Sequence, residues 1–146
     1  SNHLTPSFSK NYFTKKFALE NINYTYQNFD IDNIKILESI FSENKIAGLN
    51  VTTPFKEEVM NYLDEIDQTA SFIGAVNTIK IIGNKKIGYN TDYLGFEKSL
   101  INTIEKEKVE SALILGSGGA TKAIKYALNN LGIDQSIVSR TCTFKK

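Results

Sequence analysis

Residues 111–140 read SALILGSGGATKAIKYALNNLGIDQSIVSR, and the fold can be read outward from them. SALIL is a short apolar run of strand length. Gly116, Gly118 and Gly119 follow it at once, and an amphipathic helical pattern runs on to Leu131. QSIVSR then reads as a second strand. Strand, glycine turn, helix and strand in this order make a βαβ unit, whose crossover leaves the two strands parallel. The glycines have a physical use at that junction: they permit a tight turn and let backbone N–H groups approach a pyrophosphate at the helix N-terminus.

Two details of this unit bear on a ligand. The pattern departs from G-x-G-x-x-G at its third glycine, where Thr121 stands, so a tight βα turn without ligand stays open beside the nucleotide reading. The second strand ends in Ser139-Arg140-Thr141, where an acidic residue would favour NAD. A guanidinium there suits the 2′-phosphate of NADP, and a neighbouring hydroxyl adds a hydrogen bond; the bland alternative for Arg140 is a solvated strand end. Gly116, Ser117, Gly118, Gly119, Ala120, Ser139, Arg140 and Thr141 are therefore the candidate cofactor residues, with NADP the expected cofactor.

Upstream lies a charged run, EKEKVE at 105–110, which reads as a linker. Before it, TDYLGFEKSLINTI is a helix, and GAVNTIKII and IGYN are strands joined at Gly83-Asn84-Lys85-Lys86. KIAGLNV reads as a buried strand with PFKEEVMNYL as the helix after it, and DNIKILESIFS places Ile34, Leu37, Ile40 and Phe41 on one helical face. NYTYQNFDI alternates as a strand, and Phe8, Tyr12 and Phe17 recur near a helical period with Ser7 or Ser9 as N-cap. Strand and helix alternate throughout, which predicts an α/β fold with mainly parallel sheets, a first lobe over 1–104 and the start of a second over 105–146.

Composition narrows the function classes. Seventeen Lys and Arg against sixteen Asp and Glu leave a net charge of +1, which suggests neither a nucleic-acid nor an anionic-membrane partner. No apolar run reaches the length of a membrane-spanning helix, and no signal peptide is evident. The single cysteine, Cys142, has no internal disulfide partner, so an intracellular soluble protein is expected. No metal site is expected, and the oligomeric state is not legible.

The first lobe carries polar residues where strands end and turns begin: Ser7 and Ser9; Asn50, Thr52 and Lys56; Asn77 and Thr78; Asn90 and Asp92. In an open α/β sheet ligands gather at the carboxyl ends of the strands, and these residues follow apolar strand positions. Each has a local alternative, such as capping a helix or satisfying backbone groups. Lys56 is the hardest to explain locally. Pro54 fits the first position of a helix and Glu57 and Glu58 fit its first turn, but a cation there opposes the helix dipole by roughly 0.3–1 kcal/mol. A lysine and a carboxylate beside a nicotinamide form a proton-handling pair for hydride transfer, since a carbonyl oxygen reduced to a hydroxyl must gain a proton. The surrounding hydroxyls and amides suit a small, highly oxygenated acid.

With PSFSKNYF, LNVTTPFKEEV, IGAVNTI, GYNTDYLGF, LILGSGGATKAI and VSRT in this order, the chain resembles shikimate dehydrogenase. That family reduces 3-dehydroshikimate to shikimate with NADPH in the chorismate pathway to aromatic amino acids. The resemblance implies a three-layer substrate-binding lobe followed by a Rossmann-like NADP-binding domain. It makes Lys56 and Asp92 the catalytic pair and gives the substrate carboxylate to Ser7 and Ser9. Thr52, Asn77 and Asn90 would contact ring hydroxyls or line the site, the turn from Gly116 to Ala120 would take the pyrophosphate, and Arg140 the 2′-phosphate.

There are departures. Pro6 stands where the family has a histidine before the first serine, His3 falls where it has proline, and Ser139 replaces a common asparagine. The family's proteins also begin with a further strand and continue about as far again after the second nucleotide-domain strand. The expectation is a partial chain, weak or inactive alone. A quinate/shikimate dehydrogenase relative and a non-catalytic binder of a shikimate-type acid are the alternatives.

Overall fold

The computed structural model describes residues 7–43, 45–104, 109–139 and, for the backbone, 142–145. They fall into two units, Ser1–Asn33 and Ile34–Lys146.

Over its described residues the first unit is one helix followed by a tail without regular secondary structure. Helix α1 spans Phe8–Leu19, and the Ser7 hydroxyl caps it by accepting from the Lys10 N–H at 3.2 Å. At its far end Asn21 takes a left-handed conformation (φ 53°), while the Ile22 and Asn21 N–H groups return to the Phe17 and Ala18 carbonyls, at 2.9 and 3.4 Å. This is the paired bonding by which a helix closes its last carbonyls. The tail is tied to α1 by rings: Tyr26 stacks on Phe13 at 5.2 Å between centroids, and Tyr24 meets Phe17 edge-on at 6.1 Å. Residues 23–31, predicted as a strand, form no ladder with any described residue. Alternation alone does not make a strand, which also needs a neighbour to bond.

The second unit is α/β. A 3-10 turn at Ile34–Ile36 leads into α2, Leu37–Glu43. Then come β1 (Gly48–Asn50), a 3-10 helix (Glu58–Tyr62), β2 (Glu65–Ile66), α3 (Gln68–Ile73), β3 (Thr78–Ile82), β4 (Lys85–Tyr89) and α4 (Asp92–Thr103). Their sheet has the order β1-β3-β4-β2. The α/β reading holds, but this sheet is mixed over the described strands: only β2–β4 is parallel, while β1–β3 and β3–β4 are antiparallel. For β3–β4 the reason lies at Gly83-Asn84, a two-residue connection with Gly83 at φ 61°, which can only return the chain antiparallel. Strand β1 is also shorter and less buried than KIAGLNV suggested, because it borders a single described strand and turns only Leu49 inward.

One face of this sheet is closed by Ile34, Leu37, Val59, Ala70, Val76 and Ile79, with Val59, Ala70 and Val76 fully buried. Beyond α4, β5 (Ser111–Leu115), α5 (Gly119–Asn130) and β6 (Asp134–Ser139) form the predicted βαβ unit, with β5 and β6 parallel in register from Ser111↔Asp134 to Leu115↔Val138. A further strand, β7 (Cys142–Lys145), pairs antiparallel with β6 and was not foreseen. Helix α4 belongs to this second core: Phe96, Leu100 and Ile104 pack on Ile114, Leu128 and Ile133.

Candidate active site

Asn50, Thr78 and Tyr89 face one another across β1, β3 and β4, so the three strands begin or end at one edge. The ladder runs one residue further: the Val51 N–H bonds the Asn77 carbonyl at 2.8 Å, and the Asn77 N–H bonds the Tyr89 carbonyl at 3.0 Å. Asn77 is expected from the sequence to follow apolar strand residues, within GAVNTIKII. It precedes β3 instead, and antiparallel pairing brings that start beside the ends of β1 and β4.

From this edge a closed set of hydrogen bonds is built. The Lys56 ammonium donates to Asp92 Oδ2 at 2.8 Å, and Asn77 Nδ2 donates to Asp92 Oδ1 at 2.6 Å, so both oxygens of one carboxylate are engaged. Asn77 Nδ2 also reaches Thr91 Oγ1 at 3.0 Å, and its Oδ1 accepts from the Thr91 N–H at 2.8 Å and the Thr78 hydroxyl at 3.1 Å. Asn90 is spent on backbone: Nδ2 donates to the Ala75 carbonyl at 2.9 Å, and Oδ1 accepts from the Asp92 N–H at 3.0 Å. The two asparagines are the buried polar residues of the described chain, 8% and 4% exposed. Buried amides so fully bonded act as braces, because each lost partner would leave a polar group dry. Asp92 opens α4, where the dipole favours a carboxylate.

Lys56 stands in a different place from the one predicted. Residues 53–57 form turns after a cis Thr53–Pro54 peptide, and the only helical piece there is the 3-10 helix from Glu58. Pro54 therefore does not start a helix, and the supposed dipole penalty on Lys56 does not arise. The turn is fixed by the Phe55 N–H to the Thr52 carbonyl at 3.0 Å and by the Val76 N–H to the Lys56 carbonyl at 2.7 Å. Lys56 is brought to Asp92 with its side chain only 14% exposed, whereas Thr52 lies exposed on the same turn.

The glycine turn adjoins this cluster. Gly116 has φ 127°, a conformation that side chains disfavour, and its N–H continues the β5–β6 ladder to the Val138 carbonyl at 2.8 Å. Gly118 occupies the N-cap of α5 with no side chain to engage the first N–H groups, and a Cβ there would meet nothing within 4 Å. These features fit an anion such as a pyrophosphate. Gly119 has another constraint: a Cβ on it would lie 3.0 Å from Lys56 Cβ and 3.5 Å from Ala75 Cβ. The turn thus rests on the stem of the lysine.

Of the remaining predicted residues, Ser7 and Ser9 lie in the first unit, Ser9 within α1. Ser117 and Ala120 are exposed beside the glycines, and Ser139 ends β6. Arg140, Thr141 and His3 lie outside the described residues. Thr91 and Lys122 were not foreseen as site residues. Lys122 bonds a residue 65 positions away, which no local pattern reveals. Among the described residues no group of three or more His, Cys, Asp or Glu side chains could hold a metal ion, and no helix is long and apolar enough to cross a membrane.

Residues 1–79 match the family model of the shikimate dehydrogenase substrate binding domain. The chain belongs to the shikimate dehydrogenase family. A relative from Methanococcus vannielii, named shikimate dehydrogenase (NADP(+)), is 48% identical over 109 residues, which are 73% of this chain and 38% of that one. Shikimate dehydrogenase 1 from Peptoclostridium difficile superposes with a TM-score of 0.85 at 38% identity, covering 95% of this chain and 54% of its own. A Thermus thermophilus shikimate 5-dehydrogenase solved with NADP(H) and shikimate gives 0.81 at 30% identity, covering 92% and 52%. The chain spans about half the length of the shikimate dehydrogenases it matches.

Proposed function

We propose that this chain supplies the substrate lobe (residues 1–104) and the opening of the NADP-binding lobe (105–146) of an enzyme that reduces 3-dehydroshikimate to shikimate. The setting is the cytoplasmic chorismate pathway to aromatic amino acids. One observation carries the reading: Lys56 Nζ lies 2.8 Å from Asp92 Oδ2, and Asn77 holds the other oxygen of that carboxylate. A largely shielded lysine with a fixed carboxylate partner has a use in moving a proton; for binding alone it is an elaborate arrangement. Membership of the family and relatives named for NADP(+) support the same reading.

When bound, NADPH supplies the hydride. Lys56 gives the proton that the substrate carbonyl oxygen needs as it becomes a hydroxyl, and it takes that proton back in the reverse direction. Asp92 holds the ammonium in place and can receive a hydrogen bond from the ring. Asn77 and Asn90 set the carboxylate, Asn77 from its side and Asn90 through the Asp92 N–H. Thr52 faces a ring hydroxyl. Ser7 and Ser9 hold the substrate carboxylate; the Ser7 oxygen accepts from Lys10 in capping α1, which leaves its proton available to donate. The turn from Gly116 to Ala120 takes the pyrophosphate, and Ser139, Arg140 and Thr141 the 2′-phosphate.

The test is loss of NADPH absorbance on adding 3-dehydroshikimate to the intact protein, with shikimate and NADP as the reverse-direction control and quinate and NADP as the alternative substrate. Substrate-dependent turnover abolished in Lys56→Ala and Asp92→Asn supports the proposal. Binding of shikimate by well-folded protein without turnover would replace it with a non-catalytic binder, and equal turnover of quinate would widen the substrate class.

A further inference from the structure

Lys122 stands one turn into α5, and its ammonium reaches back to the first lobe at two points. It donates to Glu57 Oε2 at 2.6 Å and to the Gly74 carbonyl at 3.3 Å. Glu57 adjoins Lys56 in sequence. Gly74 closes α3 with φ 72° and leads through Ala75 and Val76 to Asn77. The two segments are themselves joined by the Val76 N–H and the Lys56 carbonyl. Lys122 therefore spans the two backbone segments that carry Lys56 and Asn77, the lysine of the proton pair and the brace of its carboxylate, from the same helix whose first residue leaves no room for a side chain beside the Lys56 stem. Beneath it Ile73, Ala75 and Ala123 are buried with Tyr93 and Tyr126 packed against them, so α5 has an apolar seat at this contact. Lys122 and Glu57 are each close to half exposed, so the ion pair adds little to stability. Its consequence is position.

We propose that Lys122 is a positioning residue for proton transfer, holding the turn that carries Lys56 at a fixed place relative to the glycine turn. The inference rests on the dehydrogenase reading above. It predicts that the intact protein with Lys122→Met loses about tenfold in kcat while KM for shikimate stays within about twofold, because misplacing a reacting group lowers the rate more than binding. Lys122→Arg can reach both partners and restores most of the rate. In the same variants, hydrogen exchange at residues 52–57 and 74–77 is faster for Lys122→Met and near wild type for Lys122→Arg, with β5 and β6 unchanged as the folding control. An unaltered kcat in Lys122→Met, a change confined to KM, or equal losses in Met and Arg overturns the proposal. If the wild-type protein shows no turnover, the dehydrogenase reading fails by itself and the exchange decides on Lys122. Faster exchange at 52–57 then supports its positional role, and unchanged exchange removes it.

Discussion

Around Asp92, five polar side chains from three stretches of chain (Lys56; Asn77 and Thr78; Thr91 and Asp92) bond to one another, and their positions are set by the groups they carry. A few ångströms away, between Gly116 and Gly119, position is set by what is missing: no Cβ fits the φ of Gly116 comfortably, and a Cβ on Gly119 crowds Lys56. The first region is specified by pairing and the second by vacancy of side chains. The difference has a consequence for substitution. A pairing site fails when one member is removed, whereas a glycine site fails when something is added.

The largest effect separating the two regions is expected at Lys56. In the intact protein Lys56→Ala lowers kcat by roughly 10²-fold or more, the scale of lost general acid–base help. The unfolding transition should move little, because the other members of the cluster keep their bonds to each other. A loss of activity that merely tracked lost stability would erase the distinction drawn for this residue.

Asn90→Ala reverses the order of consequences. It strips partners from the Ala75 carbonyl and the Asp92 N–H in a position only 4% exposed. Unsatisfied buried groups cost about 1–3 kcal/mol, read as a lower denaturant midpoint at unchanged slope. Activity falls second, through a displaced Asp92. An unchanged midpoint would mean that water replaces the amide, and that the cluster is less closed than its bonds indicate.

The glycines sharpen the other half of the comparison. Gly119→Ala places a methyl 3.0 Å from Lys56 Cβ, a neighbour fixed to backbone that cannot swing aside. The expected cost is about 1 kcal/mol, at the lower end of overpacking, together with reduced kcat. Gly118→Ala meets nothing within 4 Å, so it changes stability little and acts on the KM for NADPH. Equal behaviour of the two variants would show that Lys56 does not need Gly119.

What could be read beforehand follows the same division. The βαβ unit was legible because glycine, apolar run and amphipathic period all act locally, and β5, α5 and β6 stand where they were expected. Lys56, Asn77, Asn90 and Asp92 were legible as residues, but not as an arrangement. Lys56 drew notice for a helix dipole it does not face, since the turn at 53–57 replaces the first helical turn. Asn77 was placed at the wrong end of a strand, because pairing direction is a property of two strands and the reading took each alone. Residues 23–31 failed for a related reason, alternation being only half of what makes a strand. Lys122 carried no signal, its partners Glu57 and Gly74 lying far off in sequence.

The smallest effect concerns a pair that resembles the Lys56–Asp92 contact in charge but not in setting. Asp64 Oδ2 accepts from the Lys86 N–H at 2.7 Å, and the Lys86 ammonium stands 3.6 Å away. The backbone hydrogen bond from Lys86 chiefly holds the Asp64 carboxyl below its ordinary value of 3.8; desolvation opposes it, and the charges of Lys86 and Lys85 and the Lys86 side-chain hydrogen bond add to the lowering. A carboxyl depressed in the folded state stabilises it at pH above the unfolded-state value, and that contribution disappears as pH falls through the folded-state value. Wild type should therefore unfold at a slightly higher temperature than Asp64→Asn near neutrality, with the gap closing below about pH 3.9, the ordinary aspartate range. High salt should narrow the neutral-pH gap, since the pair is at the surface. A gap that persisted unchanged into acid would assign the stabilisation to the shape of the Asp64 side chain and the bond from Lys86, with the charge contributing nothing. Exposed pairs of this kind would then differ from the buried cluster in kind as well as in degree.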